Sequence, residues 1–144
     1  METRKPKILI LGTLAGGYAG ADSTGQVFAE YPSNTYVLPV MCPVMFPPEF
    51  FVRAFERGID GIIMMYSGTD SPYKVEADGT GELIRKTYAL MKQRGIDIRR
   101  LRLAAICTVC VKPFLKEVNL MEDVLAGIGF VKDELATQTS PVAA

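Results

Sequence analysis

Apolar residues along this chain gather into runs of two kinds that take turns. Four runs are short and nearly continuous: KILILG at 7–12, TYVLPV at 35–40, DGIIMMY at 60–66 and LRLAAIC at 101–107. Their length and their branched or bulky side chains predict β-strands. The near absence of polar alternation predicts strands covered on both faces, as in a parallel sheet. The other runs are longer, and most space their apolar residues by three and four. AGADSTGQVFAEY at 19–31 is the most weakly patterned, diluted by glycine and hydroxyl residues. PPEFFVRAFERG at 47–58 is strongly patterned: its prolines suit a first turn, Phe51, Ala54 and Phe55 form one stripe, and Gly58 suits the stop. DGTGELIRKTYALMKQRG at 78–95 closes on a basic turn and Gly95. KPFLKEVNLMEDVLAGIG at 112–129 places Phe114, Leu115, Val118, Met121, Val124 and Leu125 at helical spacing.

The order β-α-β-α-β-α-β-α predicts an α/β fold: a small doubly wound parallel sheet with right-handed crossovers, flavodoxin-like, with helices on both faces in three α/β/α layers. One such domain is expected over residues 1–132. From Asp133 the sequence, ending TQTSPVAA, has no apolar periodicity, and 133–144 is expected to be a disordered tail. Ligands of doubly wound sheets collect beyond the carboxyl ends of the strands. Here those positions are Thr13 to Gly17, Met41 to Pro43, Tyr66 to Ser71, and Cys107 to Cys110.

Composition removes several classes of function. Sixteen basic and sixteen acidic residues balance, so the chain lacks the basic footprint of a nucleic-acid binder. No apolar run nears the ~20 residues of a membrane helix. METRKPKILILG passes from charge straight into a strand-like run too short for a signal-peptide core. Three cysteines, an odd number, fit a reducing compartment better than a disulfide framework, and a cytoplasmic protein is expected. The chain has no histidine, which excludes the commonest general base, the serine-hydrolase triad and the usual zinc sites.

The cysteines are the remaining candidates for chemistry. Cys107 and Cys110 form a Cys-x-x-Cys pair, a spacing used by metal clusters, by zinc and by redox dithiols, and equally open to two thiols packed as small hydrophobes. Together with Cys42 they fall on one predicted edge of the sheet and make the candidate metal ligands. An iron–sulfur cluster normally takes four thiolates, so Tyr66, Asp70, Ser71 or a partner chain would have to complete the set. Gly12, Gly16, Gly17 and Gly20 form a glycine-rich strand-to-helix segment. Its spacing matches neither a dinucleotide fingerprint nor a P-loop, and a tight turn explains it better than a phosphate site. The Met- and Phe-rich stretch PVMFPPEFF at 43–51 divides between core and a docking surface on the same edge.

GTLAGGYAGAD at 12–22, with EYPSNTYVLPVMCPVMFPPEFFVRAFERGIDGIIMM at 30–65, resembles the delta subunit family of methyl-viologen-reducing hydrogenases. Tyr18 to Asp22, Tyr31, Pro32, Met41, Cys42, Pro48 to Phe50, Ala54, Phe55, Gly58, Asp60 and Gly61 carry the likeness, which extends over roughly residues 6–130. It implies an electron-transfer subunit with a [2Fe-2S] iron–sulfur cluster, linking an electron-donating subunit to a flavin- and iron–sulfur-containing subunit of the heterodisulfide-reductase type. The family places cluster cysteines at the first, second and third strand ends. This chain has Thr13 and Gly16 at the first and Tyr66 and Ser71 at the third, keeping only Cys42, while Cys107 and Cys110 stand at the fourth. Either the cluster is lost or its ligands have moved. The resemblance therefore implies an accessory electron-transfer subunit of a hydrogenase or heterodisulfide-reductase-type redox complex. The alternatives are a cluster-free structural adaptor in such a complex and, from a different class, a free-standing FMN- or nucleotide-binding enzyme. Neither the electron-transfer reading nor the adaptor reading gives the chain substrate chemistry of its own.

Overall fold

The computed structural model describes residues 4–68, 75–107 and 109–139. Four strands, β1 (Ile8–Thr13), β2 (Thr35–Val40), β3 (Gly61–Tyr66) and β4 (Leu101–Ala105), form one parallel sheet in the order β2-β1-β3-β4. Ile8 pairs with Thr35 on one side and with Gly61 on the other, and Ile62 pairs with Leu101. The α-helices among the described residues are α1 (Gly17–Gln26), α2 (Pro48–Glu56), α3 (Val75–Gln93), α4 (Val111–Ile128) and α5 (Val131–Thr139). This is the doubly wound architecture the alternating runs predict.

Side-chain parity divides the core. Leu11, Ile62 and Met64 face Phe51, Phe55 and Met91 of α2 and α3, whereas Ile8, Ile10, Ile63 and Met65 face Phe114, Val118, Met121 and Leu125 of α4. Each fully buried side chain of this size contributes about 1.5–3 kcal/mol. The central strands β1 and β3 are covered on both faces. The edge strand β2 is not: Tyr36 and Leu38 are 53% and 43% exposed. The expectation of two-sided burial thus holds for the middle of the sheet and fails at β2. Pro39 lies in that edge strand, where its missing N–H breaks no ladder inside the sheet.

Two differences from the sequence expectations concern helix ends. The first helix spans Gly17–Gln26 rather than 19–31, because the backbone turns at Phe28, whose φ is 56°. The second concerns the tail: residues 131–139 form helix α5, so the expected tail is helical as far as Thr139, and 140–144 lie outside the described residues. A buried polar network at the amino edge holds it there. Arg100, fully buried, donates through Nε and Nη2 to the Glu134 carboxylate at 3.1 and 2.8 Å, and through Nη1 to the carbonyls of Asp60 and Gly129. Asp60, also fully buried, accepts from the Val131 and Lys7 amides at 3.0 and 2.9 Å and from Arg4 at 3.2 Å. These bonds satisfy both charges and seat α5 with Val131 in the core. No described helix is long and apolar enough to cross a membrane.

Candidate functional site

The chain leaves β1 for β2 on one flank and returns to β3 on the other, so the switch-point crevice lies between the carboxyl ends of β1 and β3. Protein fills it. Thr13 Oγ1 stands 3.5 Å from Ser67 Oγ across the strand ends. A Cβ on Gly16 would lie 2.7 Å from that Thr13 oxygen, 2.8 Å from the Ser67 amide nitrogen and 2.9 Å from the Tyr66 carbonyl carbon. Gly17 presses against the Met65 side chain, and Gly20 sits where a Cβ would meet Ile106 at 2.9 Å. The glycines let α1 rest directly on β1, β3 and the end of β4. They serve close packing of the helix on the sheet, where the sequence suggested a tight turn, and Thr13, Tyr66 and Ser67 take the space beside Gly16.

The cysteines share the carboxyl edge but not one place on it. Cys42 follows β2 and precedes a short 3-10 turn at Pro43–Met45; it is free and half-buried. Cys107 and Cys110 follow β4 and are joined to each other as a disulfide, with their Cα atoms 5.1 Å apart. Strands β2 and β4 are the opposite edges of the sheet, separated by β1 and β3. Three strand spacings put their ends about 14 Å apart. The structure therefore brings Cys107 and Cys110 together and keeps Cys42 on the other flank.

That arrangement does not fit a cluster on Cys42, Cys107 and Cys110 as these residues stand. A cluster needs about four donors around a few ångströms of metal and sulfide, whereas two of the three thiols are bonded to each other and the third is across the sheet. Tyr66 ends β3, and the other candidate fourth ligands, Asp70 and Ser71, lie outside the described residues. Among the described residues no three His, Cys, Asp or Glu side chains gather as a metal site.

The flank of Cys42 offers a different chemistry. Met41 and Met45 are 57% and 59% exposed, and they follow the uncovered Tyr36 and Leu38 of β2 along the chain. Phe46 turns inward onto Phe50, with ring centroids 4.6 Å apart, and joins the core below. Within 43–51, Phe46, Phe50 and Phe51 anchor the stretch in the core while Met45 faces out. Sequence reasoning missed the Tyr36 and Leu38 half of this surface, since a continuous apolar strand gives no sign of which face stays bare.

Residues 8–129 match the family described as methyl-viologen-reducing hydrogenase, delta subunit. A ferredoxin:CoB-CoM heterodisulfide reductase subunit of Methanosarcina mazei is 28% identical over 119 residues, covering 82% of this chain and 15% of that protein. An F420-non-reducing hydrogenase iron-sulfur subunit of Archaeoglobus profundus is 31% identical over 107 residues, covering 71% of this chain and 75% of its own length. The chain thus spans a small part of the heterodisulfide reductase relative and most of the hydrogenase relative. With the family match running from β1 to the end of α4, this chain belongs to the methyl-viologen-reducing hydrogenase delta subunit family.

Proposed function

We propose that this chain is an accessory subunit of a hydrogenase- or heterodisulfide-reductase-type redox complex, and that it works there as an adaptor without a cluster of its own. Its partners would be a flavin- and iron–sulfur-containing subunit of the heterodisulfide-reductase type and an electron-donating subunit. The observation that carries this reading is the combination at the carboxyl edge: the switch-point crevice is packed with Thr13, Gly16 and Ser67, and the three thiols are divided between the two edges of the sheet. The exposed apolar surface of Tyr36, Leu38, Met41 and Met45 supports docking, because such surface is costly to leave in water. The heterodisulfide reductase relative carries its matching segment inside a much longer chain, which supports close association with a protein of that kind.

A second reading keeps electron transfer through an iron–sulfur cluster, favoured by the placement of Cys42, Cys107 and Cys110 on the same edge. It requires the Cys107–Cys110 bond to open and Cys42 to cross two strands. Anaerobic purification of the full chain with its native neighbours separates the two. The adaptor reading expects a colourless chain, free of iron once released, that buries well over ~1,000 Å² against a companion. Iron with visible absorbance on the released chain supports the second reading; a yellow, fluorescent eluate on denaturation would support a flavin-binding enzyme instead. A chain that purifies alone at every salt concentration overturns the adaptor.

A further inference from the structure

We infer that the Cys107–Cys110 pair is a thiol–disulfide exchange site for small anionic disulfides and thiols. The inference goes beyond the adaptor reading and does not depend on it. Four observations converge. The two sulfurs already form a bond, so the dithiol and disulfide states are within reach of one backbone. A sequence separation of three closes a short loop, so the bond constrains the unfolded chain less than a long-range disulfide would. Both cysteines are half-buried at the surface beside Val109, which is 80% exposed. Cys110 caps the eighteen-residue helix α4, whose positive end favours a departing thiolate.

Accessibility and charge give the pair its direction and its substrate. Cys110 packs against the α4-side core, whereas Cys107 does not belong to that cluster and is the better placed to meet a ligand. Next to the pair, a groove of about 610 Å³ runs along the free edge of β4, lined by Leu103, Ala105, Ile106, Lys112 and Lys116 among others. Glu117, also in its wall, is neutralised by Arg102 at 2.9 Å, so the two exposed lysines leave the groove cationic. A carboxylate-bearing disulfide suits it.

In the reducing direction the Cys107 thiolate attacks one sulfur of the ligand disulfide, whose sulfur–sulfur bond breaks. One ligand thiolate leaves and takes a proton. The Cys110 thiolate then attacks Cys107 Sγ, expelling the second ligand thiolate and restoring the Cys107–Cys110 bond. Two electrons pass from the pair to the ligand, and the two cysteine protons end on two ligand thiols. Excess thiol runs the same steps backwards.

The test uses the full chain, reduced with dithiothreitol without denaturant, and oxidised glutathione as the probe. Expected are the loss of both Cys107 and Cys110 free thiols, two glutathiones released per chain, and no change on Cys42→Ser. Cys110→Ser should hold one glutathione on Cys107, located by peptide mass mapping. Reduced wild type should react faster with anionic oxidised glutathione than with cationic cystamine, and Lys112→Ala with Lys116→Ala should erase that preference. A bond that dithiothreitol cannot open until the chain is denatured would overturn the proposal, as would a reduced pair left untouched by excess oxidised glutathione. Faster reaction with cystamine overturns the substrate class. The thiol count on wild type needs no variant to fold.

Discussion

Glu134→Ala puts the amino-edge network to a quantitative test. Glu134 accepts two bonds from the fully buried Arg100 and a third, at 3.0 Å, from the Asp97 amide. Removing it leaves a guanidinium inside the protein with only the Asp60 and Gly129 carbonyls, and strands the Asp97 amide. Losing one partner of a buried pair costs about 3–5 kcal/mol. The Glu134 side chain is 22% exposed, so water can reach part of the gap, and the lower end of that range, about 3 kcal/mol, is expected. A domain this size has roughly 5–15 kcal/mol in all, so the midpoint temperature should drop by about 6–12 °C. In urea, the transition followed by far-ultraviolet circular dichroism should move to lower concentration with an unchanged slope. Glu134→Gln, which keeps an acceptor but not the charge, should lose less. Joint replacement, Arg100→Met with Glu134→Leu, should recover much of the loss, since no buried charge is then left unpaired. A Glu134→Ala protein within about 0.5 kcal/mol of wild type, the usual range of a surface substitution, would refute the docking of α5.

Three other outcomes follow from particular contacts. Gly16→Val should destabilise the chain by about 1–3 kcal/mol, because its Cβ alone meets Ser67 and Tyr66 backbone below 3.0 Å; an unchanged urea midpoint would mean the crevice is open. Tyr36→Glu with Leu38→Glu should leave stability within about 0.5 kcal/mol yet abolish co-purification of partners, both side chains being exposed; retained partners would move the docking surface elsewhere. The Arg85 guanidinium, hydrogen-bonded to Glu82, pulls that carboxyl down from 4.5 to about 2. A depressed carboxylate stabilises the fold above its unfolded value, so this contribution should fade as pH falls from about 4.5 towards 2; a Glu82 resonance titrating near 4.5 would contradict it.

The sheet was legible because its signals are local. Ile8, Ile10, Leu11 and Ile62 to Met65 are buried, between them on both faces, and continuous apolar runs report that condition directly. The carboxyl-edge positions followed from the topology, and the structure has Thr13, Gly16 and Tyr66 there as expected. What escaped was nonlocal. Helix α5 has no apolar stripe to betray it; it is held by Glu134 on Arg100 and by the Val131 amide on Asp60, partners 34 and 71 residues away in the chain. Strand order was equally silent in the sequence. Cysteines on one edge could have been neighbours, but β2 and β4 stand at opposite flanks, so Cys42 and Cys107 are parted by the two strands between them. The bareness of Tyr36 and Leu38 has the same origin: α2 and α3 cover the middle of the sheet and stop short of β2.

As a docking protein, this chain would keep its family's fold without a cluster. The most direct test is iron determination on the chain released from an anaerobically purified native complex, with the visible spectrum recorded beside it. Co-purification with an iron–sulfur-containing companion is expected, while the released chain itself carries no iron and no visible absorbance. Stoichiometric iron on the released chain, lost in Cys42→Ser or in the Cys107→Ser, Cys110→Ser double variant, would contradict it.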